Sequence, residues 1–217
     1  MAKEGVNVVV TARRGKRLAE LVETIAAEGG KASLLAGDAA QQNTAAAAVQ
    51  LCFEAFGGID ILVNNAGQGA YKQLVNTSAE EYDALMDANM RSTFVFAREV
   101  APRMITQRSG TMIFVSSVVG LKGTGNEAVY SATKFAQVGF AQALDDELRP
   151  YRIKVGTLIP GGIKTEFAIG NGRTEAGVAA STMMEPSEVA DAIVFLCAQP
   201  RNVRILQTVI RNMGEQK

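Results

Sequence analysis

The stretch GTMIFVSSVVGLKGTGNEAVYSATKFAQVGFAQALDDELRPYRIKVGTLIP, residues 110–160, decides the fold. It opens on GTMIFVSS (110–117), an apolar run of strand length, and closes on another, RIKVGTLIP (152–160). Between them, NEAVYSATKFAQVGFAQALDDELRPY (126–151) contains a long helix. Strands that are apolar throughout, rather than alternating with polar residues, belong to a parallel sheet covered on both faces. A helix that joins two of them makes a right-handed crossover.

The same alternation continues outward. Upstream, VNVVVTA (6–12) reads as a strand, GKRLAELVETIAAEGG (15–30) as an amphipathic helix and KASLLAG (31–37) as a strand. QQNTAAAAVQLCFEAFGG (41–58) is a helix that stops on two glycines, and IDILVNN (59–65) is a third strand. Ser78, with Glu81 three positions on, forms a capping box for a helix towards Gln107, with a break expected near Pro102. Downstream, PSEVADAIVFLCAQP (186–200) is helical and NVRILQTVIR (202–211) is a last strand. The expected architecture is one α/β domain over residues 1–217, a three-layer, doubly wound parallel sheet of Rossmann-like type. Residues 161–185 lack periodicity and read as a lid or binding loop, where Phe167, Met183 and Met184 suggest a partly apolar ligand.

Composition narrows the function. Lys+Arg and Asp+Glu are both 22, so no net field draws the chain to nucleic acid or an anionic membrane. No apolar run is long enough to span a bilayer, and the N-terminus does not resemble a signal peptide. Cys52 and Cys197 lie among apolar neighbours and read as free thiols, which suits the cytoplasm. The chain has no histidine, which excludes Ser-His-Asp and Cys-His catalysis and argues against a zinc site. Acid–base work would fall to Tyr, Lys, Asp or Glu.

Ligands of an open parallel sheet bind beyond the carboxyl ends of its strands. Those ends carry Arg13 and Arg14; Asp38; Asn64, Asn65, Ala66 and Gly67; Ser116 and Ser117; and Pro160, Gly161 and Gly162. Tyr130 and Lys134, four positions apart on a helix, share one face. An ammonium near a phenol favours the phenolate and makes the tyrosine a plausible general acid/base. Ser117 could donate a hydrogen bond to a substrate carbonyl oxygen.

With these residues in order, VSSVVGLKGTGNEAVYSATK resembles the active-site stretch of the short-chain dehydrogenase/reductase family. In that family the serine precedes the tyrosine by thirteen positions, which selects Ser117 over Ser116. IDILVNNAG resembles the N-N-A-G strand end, DANMRSTF places Asn89 at a helix-bending asparagine, and IPGGIKT resembles a P-G-x-x-x-T loop. The resemblance implies an oxidoreductase that moves a hydride between a nicotinamide cofactor and an alcohol or carbonyl substrate. It assigns catalysis to Asn89, Ser117, Tyr130 and Lys134, with Lys134 lowering the tyrosine pKa and Asn89 holding a relay water. Cofactor contacts fall to Arg13, Arg14, Asp38, Asn65, Ala66, Gly67, Tyr130, Lys134, Pro160, Gly161, Ile163 and Thr165. Ala12 stands where NAD enzymes carry an acid, and Arg13 follows, so the pattern is NADP-type rather than NAD-type. The family also implies a homodimer or homotetramer, built through the helices near 80–107 and 126–149.

One part of the pattern is missing. The family's first strand, its T-G-x-x-x-G-x-G loop and the following helix have no counterpart, a deficit of about 25 residues. The expected lesion is a sheet without its central strand, between the partners that carry Arg13 and Asn64. Three origins stay open: a shortened form of a longer protein, a natural variant whose neighbouring strands close up, or a strand supplied by another segment or chain. The missing phosphate loop also keeps a second function open, a non-catalytic binding or assembly module.

Overall fold

A computed structural model describes residues 1–214 of the chain. Among the described residues six strands and seven α-helices follow in the order β1 (Val8–Ala12), α1 (Gly15–Ala27), β2 (Ala32–Ala36), α2 (Gln42–Phe56), β3 (Ile61–Asn64), α3 (Ala79–Met86), α4 (Ser92–Gln107), β4 (Gly110–Val115), α5 (Ala128–Leu148), β5 (Ile153–Pro160), α6 (Glu175–Ala179), α7 (Pro186–Cys197) and β6 (Gln207–Ile210). Every strand pairing is parallel. The expected α/β class is therefore the fold found.

Local rules account for most boundaries. Ser78 and Glu81 close a reciprocal capping box at the start of α3, worth about 1 kcal/mol. Gly57 ends α2 at φ 82°, where its N–H reaches the Phe53 carbonyl at 2.9 Å. The break expected at Pro102 is absent, because α4 runs through it without interruption. Val100 and Met104, on either side of the proline, are both fully buried. Their burial offsets the roughly 3 kcal/mol that an internal proline costs. The irregularity falls earlier, as a π-helical turn over Asp87–Arg91 that joins α3 to α4 and contains Asn89.

The sheet is divided. β1 pairs only with β2, whereas β3, β4, β5 and β6 form a separate four-stranded sheet in that order. β1 and β3 do not pair, so the structure does not show neighbouring strands that have closed up. α2 bridges the two parts, since it touches β1, β2 and α4. Along β4 the side chains alternate between two cores. Met112 and Phe114 face Val49, Val100, Met104, Leu148 and Val155 under α2, α4 and α5. Ile113 faces Val189 and Leu196 of α7 on the opposite side. Because the strands are covered on both faces, β4 and β5 read as apolar throughout.

Candidate active site

A cleft of about 2420 Å³ opens between the two sheets and runs along the strand ends. Arg13, Arg14, Asp38, Asn65, Ala66 and Gly67 line it, as do Ser117, Tyr130, Lys134, Pro160, Gly161, Ile163 and Thr165. The structure thus gathers every expected site residue at one place except Asn89. Asn89 lies behind the cleft wall and is fully buried.

Helix α5 supplies the central group. Tyr130, Lys134 and Gln137 follow one another at helical spacing on its buried face. The Lys134 ammonium donates to the Val115 carbonyl at 3.1 Å and to Gln137 Oε1 at 2.9 Å. Gln137 then donates through Nε2 to the Asn89 carbonyl at 2.9 Å and to Thr93 Oγ1 at 2.7 Å. The Asn89 side chain is also committed. Its Oδ1 accepts from the Gln68 N–H at 2.6 Å, and its Nδ2 donates to the Gln68 carbonyl and to Thr133 Oγ1, both at 2.9 Å. Gln137 is therefore the direct link between Lys134 and Asn89. Its place one turn beyond Lys134 on the same face was a signal that sequence reading could have used.

Burial dominates the electrostatics. With water excluded, the Lys134 ammonium is lowered to about 7. Tyr130 is pushed up, chiefly by burial and next by Tyr71, while the Ser117 hydroxyl and Arg173 pull the other way. The expected lowering of Tyr130 by Lys134 does not appear. The amine lies 5.8 Å from the ring centroid, and burial leaves it only partly charged near neutral pH. Ser117 lines the cleft, and its Oγ accepts from the Val119 N–H at 3.4 Å. Ser116 is buried instead and donates to the Lys134 carbonyl at 3.0 Å, which pins α5 to the end of β4.

The side of the cleft that follows β1 is cationic. The Gln68 amide, with its oxygen towards Arg13, accepts from that guanidinium at 2.8 Å. Arg14 and Arg17 both grip Glu166 of the loop after β5, Arg17 with bonds of 2.7 and 2.8 Å. These partners hold the Glu166 carboxyl down at about 2. Asp38 accepts from the Ala40 N–H at 3.0 Å and so shapes the turn after β2. Gly67 approaches Asn89 so closely that an added Cβ would lie 2.8 Å from its Oδ1. The N–H of Gly161 donates to the Ile210 carbonyl at 2.8 Å, and Ile163 bridges to Met184. The hydroxyl of Thr165 accepts from the Phe167 N–H at 3.3 Å.

Gln68, Tyr71, Glu166 and Arg173 also line the cleft and were not expected there. Glu166 reaches Arg14 across 152 positions of sequence, which no local pattern announces. Among the described residues no group of acids or cysteines could hold a metal ion, and no helix is long and apolar enough to cross a membrane.

The comparisons with known proteins agree with this geometry. The sequence pattern for short chain dehydrogenase matches residues 1–176. An uncharacterized oxidoreductase of Staphylococcus aureus (strain MRSA252) is 27% identical over 209 residues, which is 96% of this chain and 87% of that protein. A metagenomic short-chain oxidoreductase solved in complex with NADP superposes with a TM-score of 0.83 at 28% identity, covering 99% of this chain and 89% of the other. A 3-ketoacyl-ACP reductase from Sinorhizobium meliloti 1021 gives a TM-score of 0.84 at 27% identity, covering 96% and 89%. The pattern that spans residues 1–176 thus lies on a parallel α/β frame with Ser117, Tyr130 and Lys134 around one cleft, and the chain belongs to the short-chain dehydrogenase family.

Proposed function

We propose that the protein is an NADP(H)-dependent oxidoreductase acting on a small alcohol or carbonyl substrate. The observation that carries this reading is the convergence of Ser117, Tyr130 and Lys134 on one cleft that Arg13 and Arg14 also line. Arg13 and Arg14 suit a ribose 2′-phosphate, which guanidinium groups bind in paired hydrogen bonds. Pro160, Gly161, Ile163 and Thr165, with Tyr130 and Lys134, would take the nicotinamide end. Asn65, Ala66, Gly67 and Asp38 would take the adenosine side. The glycine-rich loop that would hold the diphosphate does not occur in the 217 residues. When bound, the nicotinamide supplies or accepts the hydride.

The chain's own residues manage the proton. Burial keeps Tyr130 protonated at neutral pH, the form that donates to a carbonyl oxygen. Ser117 donates a hydrogen bond to that same oxygen and orients it. Lys134, fixed by Val115 and Gln137, provides a cation close to neutrality beside the tyrosine. Asn89 and Gln137 hold the lysine side of the site in register.

Titration calorimetry with NADPH and an NADPH-linked assay on a panel of aldehydes and ketones test the proposal. Tyr130→Phe is expected to lower the turnover by about 10²- to 10⁴-fold. No binding of NADPH at millimolar concentration overturns it. That result would favour the second reading, a non-catalytic binding or assembly module. The grip of Glu166 on Arg14 and Arg17 supports that rival. The homodimer or homotetramer reading is supported by Phe94 of α4 and Phe135 of α5, 43% and 45% exposed on the two long helices. A light-scattering mass of one chain contradicts it.

A further inference from the structure

Tyr130 is roofed by two aromatic rings from different loops. The centroid of Tyr71, which follows β3, lies 6.3 Å from that of Tyr130, and Phe167 of the lid lies 5.8 Å away. Against both rings sits a single cation. The guanidinium carbon of Arg173 is 5.2 Å from the Tyr71 centroid and 5.8 Å from that of Phe167. All four residues line the cleft that Ser117 also lines.

The backbone is shaped to hold Arg173 there. Ala168, Gly170 and Gly172 have φ values of 62°, 81° and 106°, so the lid coils tightly just before the arginine. A Cβ on Gly172 would lie 2.3 Å from the Tyr71 Cβ, so only glycine lets this turn press on Tyr71. The Arg173 N–H donates to the Ala168 carbonyl at 3.1 Å, and its own carbonyl accepts from Gly170 at 3.0 Å. The Tyr71 N–H closes the contact on the Asn171 carbonyl at 3.0 Å.

This cation is not neutralised by an ion pair. Among the described residues no carboxylate lies within ion-pair distance of Arg173. Glu127, half-buried just before α5, influences the same cluster only at longer range. The guanidinium lies over the rings and also engages the Tyr71 hydroxyl, and its remaining in-plane N–H groups form a fork for a ligand. That fork matches a carboxylate in two parallel hydrogen bonds.

Resting on the oxidoreductase reading, we propose that Arg173 is a specificity residue that binds a carboxylate of the substrate. The substrates are then short oxo acids or hydroxy acids, held by the acid group at Arg173 with the reacting C–O carbon beside Ser117 and Tyr130. The rings of Tyr71 and Phe167 cover the short apolar link between the two groups.

Ligand-observed NMR on the full chain reads this binding without turnover. Acetoacetate serves as the acid probe and 4-hydroxy-2-butanone as a neutral ketone of similar size. Acetoacetate is expected to bind about tenfold more tightly, as a charge-assisted pair allows. Arg173→Met, which keeps an unbranched apolar stem against the rings, should erase the preference, and Arg173→Lys should keep part of it. Equal binding of the two probes, binding of neither at millimolar concentration, or a preference that survives Arg173→Met overturns the proposal. The wild-type comparison decides even if one variant folds poorly. Tyr130→Phe separates this proposal from the catalytic one, because it should abolish reduction and leave the acetoacetate preference in place.

Discussion

In β1 and β2 no residue is buried, whereas every residue of β4 except Gly110 and every residue of β5 except Lys154 is buried. The runs look alike in sequence, so the contrast comes from their neighbours. β4 has a strand on each side and helices on both faces. β1 has one partner, and its other edge meets the cleft. The proposed chemistry follows the same division. Tyr130, Lys134, Gln137 and Asn89 stand on the buried part, the last three joined by hydrogen bonds that water does not reach. Arg13, Arg14 and Asp38 stand on the thinly covered part, where Arg14 and Glu166 are 59% and 51% exposed. Pairs so exposed are screened by water and salt and contribute little to stability. The reacting end of the cleft is therefore set by packing, and the cationic end by contacts that a ligand can replace.

The sharpest way to break this comparison is to truncate one apolar strand residue in each part. Phe114→Ala should cost about 3–5 kcal/mol in urea unfolding, since its side chain is fully buried. Leu34→Ala in β2, where the leucine is 36% exposed, should cost about 1 kcal/mol or less. Equal costs would mean that the two sheets share one core.

The next effect comes from the buried amine. The folded value of Lys134 is about 7, below the unfolded value of about 10.4. Between those values the unfolded chain binds more protons, so stability rises with pH from about 7 towards 10. Below pH 7 both states carry the proton and the full penalty remains. Unfolding measured at pH 7 and 9.5 should differ by a few kcal/mol, on the order set by such a shift. Lys134→Met should remove the slope. The raised thiols of Cys52 and Cys197 act in the opposite sense and cancel when the variant is compared with the parent chain.

The smallest expected effect sharpens the account of the exposed end. Glu166→Gln frees Arg14 and Arg17 from a competing carboxylate. On the NADP reading, NADPH should then bind severalfold more tightly, with little change for NADH, which lacks the 2′-phosphate. Titration of both cofactors at low and high salt checks this, since the gain should shrink as salt screens the pair. An equal gain for the two cofactors would show that Glu166 acts on the lid rather than on the phosphate site.

Some errors of sequence reading are instructive. Pro102 looked like a helix breaker, yet Val100 and Met104 bury both flanking turns and carry the helix through. The irregular turn fell instead at Asp87–Arg91, around the Asn89 that the family resemblance gave as helix-bending. Tyr130 was expected to be lowered by Lys134, but burial raises the one and lowers the other, because neither charge finds water. Gln137 escaped notice because a glutamine amid apolar helix residues carries no motif, although its spacing from Lys134 was visible.

The sequence by itself determined the parallel α/β class, the order of strands and helices and the spacing of Ser117, Tyr130 and Lys134. Those features depend on periodicity and on strand–helix alternation, which are local. Tertiary structure alone decided that the place between β1 and β3 stays open as a cleft, that Glu166 spans it to Arg14 and Arg17, and that Arg173 reaches the roof over Tyr130. Such contacts join loops distant in sequence, and their partners are chosen by where the packed strands deliver each loop.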